Sequence, residues 1–371
     1  MRRRVRAHLG AREAWQRAQL VLGDEPEGVP ALSLPRGTKI TENRRHVADI
    51  VGMTIVATAP TAHSRCCWIL AAACAGSGGG AYYFGNRPLS ATEFQSRYGP
   101  TAFIAGASEG LGFAWADFLG ARGINLVIIA RHASELEAAA AALRTSHDVT
   151  VETHVLDLAS SEVVPFAHAV FFNRSDIRLL VYNAAYTGYR AGFFASDSLE
   201  MAHTAIDVNV KAVLSLAHPF LAARQSRAAA GPSPEGGGGL VLMSSMAGLV
   251  GSAHLSVYAS TKAWTTAFAT GLYDEMRPSG FDVLSCIAGA TTTPNYLEEA
   301  LPSRSTFIEQ TPSEVVDECA GALGRTPTRA TGLVNRFAQA LITRLLPTRV
   351  AVQIMSDGAR STTKFELVEP K

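Results

Sequence analysis

Tyr258 and Lys262 lie four residues apart in this 371-residue chain, and Ser245 precedes the tyrosine by thirteen positions. Residues at positions i and i+4 of a helix share one face, so a helix here would bring the phenol and the amine together. A lysine ammonium beside a phenol favours the phenolate and lowers the tyrosine pKa from its usual value of about 10. A tyrosine tuned in this way can protonate a carbonyl oxygen or deprotonate an alcohol. The three side chains therefore predict acid–base chemistry on a carbonyl group that the serine hydroxyl helps to hold.

A glycine-rich turn follows the short apolar run at residues 102–107. Gly106, Gly110 and Gly112 are spaced G-x-x-x-G-x-G, and apolar residues then recur at helical spacing as far as Leu119. Glycines allow a tight turn and a close approach of the backbone, so N–H groups at a helix start can face a pyrophosphate. The order strand, glycine turn, helix predicts a dinucleotide site. A plain strand-to-helix turn is the alternative interpretation.

The end of the next apolar strand, residues 125–130, indicates which dinucleotide binds. An acidic residue at this place would hold the ribose hydroxyls of NAD, but the chain has Ala130 followed by Arg131. A guanidinium suits the 2′-phosphate of NADP because its planar donors match phosphate oxygens. The sequence therefore predicts NADPH rather than NADH. The alternative is that Arg131 only solvates the strand end.

The elements that must position these residues alternate between strand and helix. Regular alternation with nearly continuous apolar strands predicts an α/β fold in which helices cover both faces of one doubly wound, Rossmann-type parallel sheet. Ligands of such sheets bind at the carboxyl ends of the strands, where the chemically suggestive residues fall. Further strand-like runs cover residues 149–155, 179–182, 240–243 and 281–287, and helical patterns cover residues 134–145, 198–227 and 256–277.

Residues 99–296 resemble the classical short-chain dehydrogenase/reductase family, in its NADP-preferring form. The matching positions are the turn from Gly106 to Gly112, Asn183-Ala184, Asn209 within Asp207-Val208-Asn209, Ser245, Tyr258, Lys262, Gly289 and Thr293. Three positions depart from the family pattern: Ala105 stands for a threonine, Ala185 for a glycine and Ala288 for a proline. All three are small residues, and none removes a group that transfers protons.

The resemblance implies an NADPH-dependent oxidoreductase that reduces a ketone or aldehyde substrate to an alcohol by hydride transfer, with Tyr258 as the general acid. It implies that Ser245 and Tyr258 hold the carbonyl oxygen, and that Asn209 holds a water connecting Lys262 to solvent. The implied catalytic residues are Asn209, Ser245, Tyr258 and Lys262. The implied cofactor contacts are Gly106, Ser108, Glu109, Gly110, Leu111, Gly112, Arg131, Asp157, Leu158, Asn183, Ala184, Tyr258, Lys262, Gly289 and Thr293.

The substrate is less well indicated. Met246, Leu249 and Val250 lie between the serine and the tyrosine, where the family has its pocket wall, and their apolar character favours a lipophilic carbonyl compound such as a steroid or a 3-oxoacyl thioester. Ordinary packing would give the same residues. Two other functions stay open: a catalytically idle NADPH-binding sensor or scaffold, and a transferase that uses the glycine turn, although a transferase would leave Tyr258 and Lys262 without a task.

The composition of the chain bears on its partners, on metal binding and on the state of its cysteines. A formal net charge of +1 gives no reason to expect a nucleic-acid partner, and 47% hydrophobic with 18% charged residues suits a globular α/β core. The five cysteines, Cys66, Cys67, Cys74, Cys286 and Cys319, have no paired metal-ligand spacing. They predict no metal site, free thiols and a reducing, cytoplasmic environment.

The two ends of the chain fall outside the resemblance. Residues 1–98 are predicted to be a leader that is disordered or membrane-associated through the apolar, glycine-rich run at 66–84. Residues 99–296 form the predicted catalytic domain, and residues 297–371 form a substrate lid and a helical extension. Within the extension, residues 336–349 carry a basic amphipathic stripe. Packing over the pocket is the leading interpretation of this stripe. Homo-oligomer formation and contact with a membrane surface are the alternatives.

Overall fold

The computed structural model describes residues 89–187, 194, 198–229, 237–299 and 309–362. The apolar run at 66–84 and three of the five cysteines lie outside the described residues. The predicted leader and its membrane association therefore stay predictions. The predicted division at residues 98/99 and 296/297 also stays a prediction.

Seven parallel strands form one sheet in the order β3-β2-β1-β4-β5-β6-β7. The order reverses between β1 and β4, which creates the kind of switch point at which ligands bind α/β sheets. This confirms the predicted fold class. The bounds are β1 Thr101–Ala105, β2 Asn125–Ala130, β3 Val151–Val155, β4 Ile177–Tyr182, β5 Gly239–Ser245, β6 Asp282–Ala288 and β7 Thr328–Ala330.

The register of the central strands follows from their composition. Ile104 of β1 pairs with Ile128 of β2 on one side and with Val181 of β4 on the other. Every residue of β1, β4 and β6 is buried, as expected for parallel strands covered on both faces. The edge strand β7 was not predicted from the sequence, because its three residues, Thr-Arg-Ala, contain no apolar run.

Eleven helices are present in the described part of the chain. Those predicted at 134–145 and 256–277 correspond to α3 and α7, and the one predicted at 198–227 to α5, a π-helical turn at Asp207–Lys211, and α6. The bounds are α1 Ala91–Tyr98, α2 Gly110–Gly120, α3 Ala133–Ser146, α4 Val163–Asn173, α5 Leu199–Ile206, α6 Ala212–Ala229, α7 Ser256–Met276, α8 Pro294–Glu299, α9 Pro312–Ala322, α10 Leu333–Ala340 and α11 Thr348–Thr362.

One core lies on each face of the sheet. Trp115 of α2 and Ile104 belong to the first core, which α1, α2, α3 and α9 cover. Phe103, Phe171 of α4 and Phe220 of α6 belong to the second, which α4, α6 and α7 cover. Successive residues of β1 thus point to opposite faces, as strand geometry requires.

Helix α5, the π-helical turn and α6 form one continuous helix. Its stretch from Leu199 to Arg227 is, among the described residues, the one helix long and apolar enough to cross a membrane by length and composition. Leu216 and Phe220 within it are fully buried against the sheet. A core helix passes the same composition test, and the packing identifies this one as a core helix.

Helix α1 precedes residue 99 and packs against the sheet. Ser90 and Glu93 form a capping box at its start. Phe94 and Tyr98 are buried, and the Tyr98 hydroxyl donates to Asp282 of β6 at 2.8 Å. Within the stretch predicted as leader, this helix thus contributes the side chains of Phe94 and Tyr98 to the core.

Two of the cysteines contradict the expectation of free thiols. Cys286 of β6 and Cys319 of α9 form a disulfide, with Cα atoms 5.8 Å apart, and both residues are fully buried. The prediction was wrong for this pair because the two residues are 33 positions apart in sequence and meet only through the packing of α9 on the sheet. The bond fastens α9 to β6.

Candidate active site

The glycine turn between β1 and α2 is packed too closely for side chains. Gly106 and Gly110 have φ angles of 80° and 56°, in the left-handed region that favours glycine. A Cβ at Gly112 would overlap the Gly106 carbonyl oxygen, and a Cβ at Gly106 would lie 2.7 Å from the Ala184 Cα. The turn therefore leaves its own backbone, and the start of α2 at Gly110, open to a ligand.

Asn183 and Ala184 hold this turn from the neighbouring strand β4. The Asn183 side-chain Nδ2 donates to the Gly106 carbonyl at 2.8 Å. The backbone N–H groups of Asn183 and Ala184 both donate to the Ala105 carbonyl, at 3.0 and 2.9 Å. These bonds tie the ends of β1 and β4 together at the point where the sheet order reverses.

The carboxyl end of β2 carries a basic pair. Arg131 is exposed, and its Nε lies 3.4 Å from Nε2 of His132. Asp157 and Leu158 lie across from them after β3, and all four residues line the same cleft. His132 was not predicted as a site residue. Its only sequence signal was its position next to Arg131.

Tyr258 and Lys262 share one face of α7, as their spacing predicted. The Lys262 Nζ lies 5.6 Å from the centroid of the Tyr258 ring and donates to the Met243 carbonyl of β5 at 2.9 Å. Ser245 closes β5, and its Oγ accepts from the Ala247 N–H at 3.2 Å. All three predicted catalytic side chains line the cleft.

Lys262 is buried, with 5% of its surface exposed. Burial disfavours the charged amine and lowers the pKa of Lys262 to about 8. The amine therefore holds its charge at neutral pH and loses it at a pH where an exposed lysine would still be charged.

Asn209 lies in the π-helical turn between α5 and α6 and is buried. Its Oδ1 accepts from the Tyr186 N–H at 2.7 Å, and its Nδ2 donates to the Tyr186 carbonyl at 3.0 Å and to Thr261 Oγ1 at 3.1 Å. The amide thus joins the loop after β4 to α7, at a residue between Tyr258 and Lys262. Asn209 does not line the cleft. The water predicted to reach Lys262 through it stays a prediction.

Gly289 and Thr293 close the cleft beyond β6. A Cβ at Gly289 would overlap the amide of Asn335 in α10, and a Cβ at Gly110 would lie 3.1 Å from the Thr293 methyl. Thr293 Oγ1 accepts from the Tyr296 N–H at 3.3 Å. Asn335 was not recognised from the sequence, because it is 46 positions from the glycine that it covers.

These groups surround one cleft of 420 Å³. Of the predicted site residues, only Gly112 and Asn209 do not line it. Those that do are Gly106, Ser108, Glu109, Gly110, Leu111, Arg131, Asp157, Leu158, Asn183, Ala184, Ser245, Tyr258, Lys262, Gly289 and Thr293. The expected pocket wall of Met246, Leu249 and Val250 is partly exposed and lies outside this cleft, whereas Tyr186 and Thr187 line it. No cluster of metal-ligating side chains occurs among the described residues.

We expect Gly112→Ala to distort the turn, because its methyl group has no space beside the Gly106 carbonyl. Overpacking of this kind costs about 1–3 kcal/mol. Thermal unfolding should show the loss, and NADPH fluorescence should show weakened binding. The control is Gly271→Ala in α7, where nothing lies within 4 Å of the new methyl. Equal behaviour of the two variants would contradict the close packing.

The buried amine predicts a pH-dependent stability difference between the wild type and Lys262→Met. Its pKa is about 8 in the folded chain and 10.5 for an unperturbed lysine. The unfolded state therefore binds more protons between these values, and wild-type stability should rise relative to the variant from pH 8 to 10.5, by about 3 kcal/mol in total. Urea unfolding at several pH values measures this. The control is Lys211→Met, because the Lys211 side chain is exposed. The stability of this variant should change with pH as that of the wild type does.

Comparison with known proteins identifies the family. The family model of short chain dehydrogenases matches residues 100–300, more than half of the chain. A solved 7β-hydroxysteroid dehydrogenase is 24% identical and superposes with a TM-score of 0.62 over 71% of this chain and 98% of its own. A short-chain dehydrogenase from Sphingobium yanoikuyae, solved with NADPH, is 26% identical with a TM-score of 0.54, covering 70% and 93%.

Two curated relatives show how the family varies. The human inactive hydroxysteroid dehydrogenase-like protein 1 is 23% identical over 265 residues, which are 71% of this chain and 78% of the relative. The very-long-chain 3-oxoacyl-CoA reductase of Laccaria bicolor is 26% identical over 193 residues, 52% of this chain and 54% of that reductase. The predicted family is confirmed: this chain belongs to the short-chain dehydrogenases, a family of oxidoreductases that use a nicotinamide cofactor.

Proposed function

We propose that the protein is an NADPH-dependent reductase of lipophilic ketones or aldehydes. The observation that carries the proposal is the convergence of Tyr258, Lys262 and Ser245 on the cleft that the glycine turn and Arg131 also line. A proton donor, a cation and a hydroxyl placed beside a dinucleotide site are the parts that carbonyl reduction needs.

The residues present fit a nicotinamide dinucleotide. The turn from Gly106 to Gly112 has no room for its own side chains and exposes backbone at a helix start, which suits a pyrophosphate. Asp157 and Leu158 would flank the adenine, and Lys262 would contact the nicotinamide ribose. Gly289 and Thr293 would contact the nicotinamide, and Asn183 would hold the glycine turn beneath the dinucleotide. A reduced nicotinamide supplies a hydride to a carbonyl carbon when it is bound.

The side chains of this chain would manage the proton. The Tyr258 hydroxyl donates it to the carbonyl oxygen, and Ser245 donates a hydrogen bond to the same oxygen. Lys262, charged at neutral pH and held near the ring, stabilises the phenolate that remains. Because the amine is buried, its charge acts on the phenol with little screening by water.

Arg131 supports NADPH as the cofactor. It is exposed at the end of β2, in the cleft, and the preceding residue is Ala130 rather than an acid. His132 places a ring nitrogen beside the guanidinium. The NADPH bound to the dehydrogenase from Sphingobium yanoikuyae is consistent with this preference.

The proposed substrate class rests on the relatives and the cleft. Relatives named very-long-chain 3-oxoacyl-CoA reductase occur in fungi and in Danio rerio, at 26% identity for the Laccaria and Danio proteins. Tyr186 and Tyr296 line the cleft beside the polar groups and offer apolar ring surface. A substrate with a carbonyl group on a long apolar body would place the carbonyl at the polar groups and the apolar body against the two rings.

A second candidate is a catalytically idle NADPH-binding protein. One observation favours it, namely that the human relative is named an inactive dehydrogenase-like protein. This chain retains Ser245, Tyr258 and Lys262 in one cleft, for which an idle protein has no physical need. A screen of steroids, 3-oxoacyl thioesters and aromatic aldehydes for NADPH consumption separates the two functions.

Tyr258→Phe should abolish most turnover while leaving NADPH binding largely intact, because it removes one hydroxyl and keeps the ring. Loss of a general acid lowers the rate by about 10²–10⁴-fold. Initial rates of NADPH oxidation with an accepted ketone measure the effect, and NADPH fluorescence measures binding. Tyr273→Phe is the matched control, since Tyr273 lies on the same helix outside the cleft. Near-normal rates in Tyr258→Phe would refute the assigned role.

Arg131→Ala should weaken NADPH binding at least about tenfold, the equivalent of ~1.4 kcal/mol, and leave NADH binding nearly unchanged. The reason is that the guanidinium would pair with the 2′-phosphate, which NADH lacks. Titration of both nucleotides by fluorescence tests this. Arg277→Ala, an exposed arginine outside the cleft, is the control. Equal losses for the two nucleotides would contradict the proposed preference.

A further inference from the structure

Exposed apolar side chains concentrate in the C-terminal segment. Six of the thirteen large apolar side chains that are exposed in the described residues fall within positions 333–354: Leu333, Val334, Phe337, Leu345, Val350 and Ile354. Leu333 is 77% exposed and Phe337 55%. Single exposed apolar residues are common, but a cluster on one short segment indicates a contact surface.

These side chains form ordered helix faces. Leu333 and Phe337 stand one turn apart on α10, and Val350 and Ile354 stand one turn apart on α11. A second π-helical turn at Leu341–Leu345 connects them, and α11 packs against it. We call the exposed side of this segment the C-terminal face: the six apolar residues together with Arg344 and Arg349.

The opposite sides of the two helices are anchored to the catalytic core. Asn335 is buried and donates to the Thr331 carbonyl at 2.8 Å, while its amide covers Gly289. On α11, Ser356 Oγ accepts from the Ala253 N–H at 2.9 Å. The apolar residues are thus exposed while the helices that carry them are firmly seated. The stripe predicted to pack over the pocket leaves Phe337 and Leu345 exposed instead.

The charges of the segment indicate what kind of partner binds the C-terminal face. Residues 333–356 contain Arg336, Arg344 and Arg349 and no Asp or Glu. Arg336 pairs with Glu318 at 3.5 Å, while Arg344 and Arg349 are exposed. Apolar helix faces flanked by arginines suit the interface of an anionic bilayer, where rings and aliphatic chains enter the headgroup region and cations meet lipid phosphates.

A second copy of the chain fits this surface less well. A two-fold contact places the same patch on both sides, so the interface would contain Arg344 and Arg349 of both copies and no carboxylate from this face. Like charges brought together across an interface oppose binding. We propose that the C-terminal face docks on an anionic lipid bilayer. The proposal does not depend on the reductase activity.

Vesicle co-sedimentation of the full chain tests this docking. The probes are vesicles of phosphatidylcholine alone and of phosphatidylcholine with phosphatidylserine. Binding should require the anionic lipid and fall at least about tenfold in Leu333→Glu/Phe337→Glu and in Arg344→Glu/Arg349→Glu. Val164→Glu/Phe172→Glu on α4 is the control, since both are exposed apolar residues outside the C-terminal face, at 48% and 47%. The control should bind as the wild type does.

Hydrogen exchange localises the contact, so that binding through residues 1–88 is not mistaken for it. Amides of residues 333–356 should gain protection when phosphatidylserine vesicles are added, while those of α4 should not. Unchanged exchange in 333–356, or equal binding by all variants, would overturn the proposal. So would a wild-type dimer that Leu333→Glu/Phe337→Glu dissociates with no effect on vesicle binding, because the occupant would then be a second copy. Reduction of a water-soluble ketone should be equal in all variants, which separates this outcome from failure of the proposed activity.

Discussion

The arrangement of the site depends on placing one charged amine inside the protein. Lys262 is buried against β5, and its Nζ donates to the Met243 carbonyl, which replaces part of the water that the charge loses. Helix α7 must approach the strand closely to allow this. The Ser244 hydroxyl donates to the Lys262 carbonyl at 2.8 Å, and a Cβ at Gly248 would lie 2.7 Å from the Lys262 carbonyl carbon. Small residues around α7 therefore set the depth of the lysine, and with it the height of the Tyr258 ring above the strand ends.

A second close approach fixes the other half of the cleft. Gly106 packs closely against Ala184, Gly112 packs closely against Gly106, and the Asn183 side chain donates to the Gly106 carbonyl. This constraint acts at the carboxyl ends of β1 and β4, which flank the reversal of sheet order, and the first acts at the end of the adjacent strand β5. A ligand that reaches from the turn to the tyrosine must cross this reversal, which is where an open parallel sheet offers a crevice. The chemistry and the binding site are thus positioned by the same backbone packing.

The parts of this structure that could be predicted from the sequence depend on short-range regularities. The glycine turn spans seven residues, the tyrosine and lysine share one helical turn, and buried strands read as apolar runs. The parts that could not be predicted are contacts between distant residues. The Cys286–Cys319 disulfide joins residues 33 positions apart in sequence, and Asn335 covers a glycine 46 positions earlier. The hydrogen bond from Tyr98 to Asp282 joins residues 184 positions apart. Local patterns carry no information about such pairs, since they arise only when the helices pack on the sheet.

The family match ends at residue 300, yet the segment after it shapes the site that the family shares. Gln310 exchanges backbone bonds with Ala290 and Thr292 beyond the end of β6, so it holds the segment that leads into Thr293 and α8. Farther along, α10 covers Gly289, and α11 holds Ala253 between the serine and the tyrosine. The shared core supplies the proton and the nucleotide turn, which are common to many carbonyl reactions. Under the proposed function, selection among carbonyl substrates would fall to these later elements, and the same helices present the exposed apolar face. If both proposals hold, a lipophilic substrate that partitions into a bilayer would reach the protein at the segment whose helix α10 also covers Gly289 in the cleft.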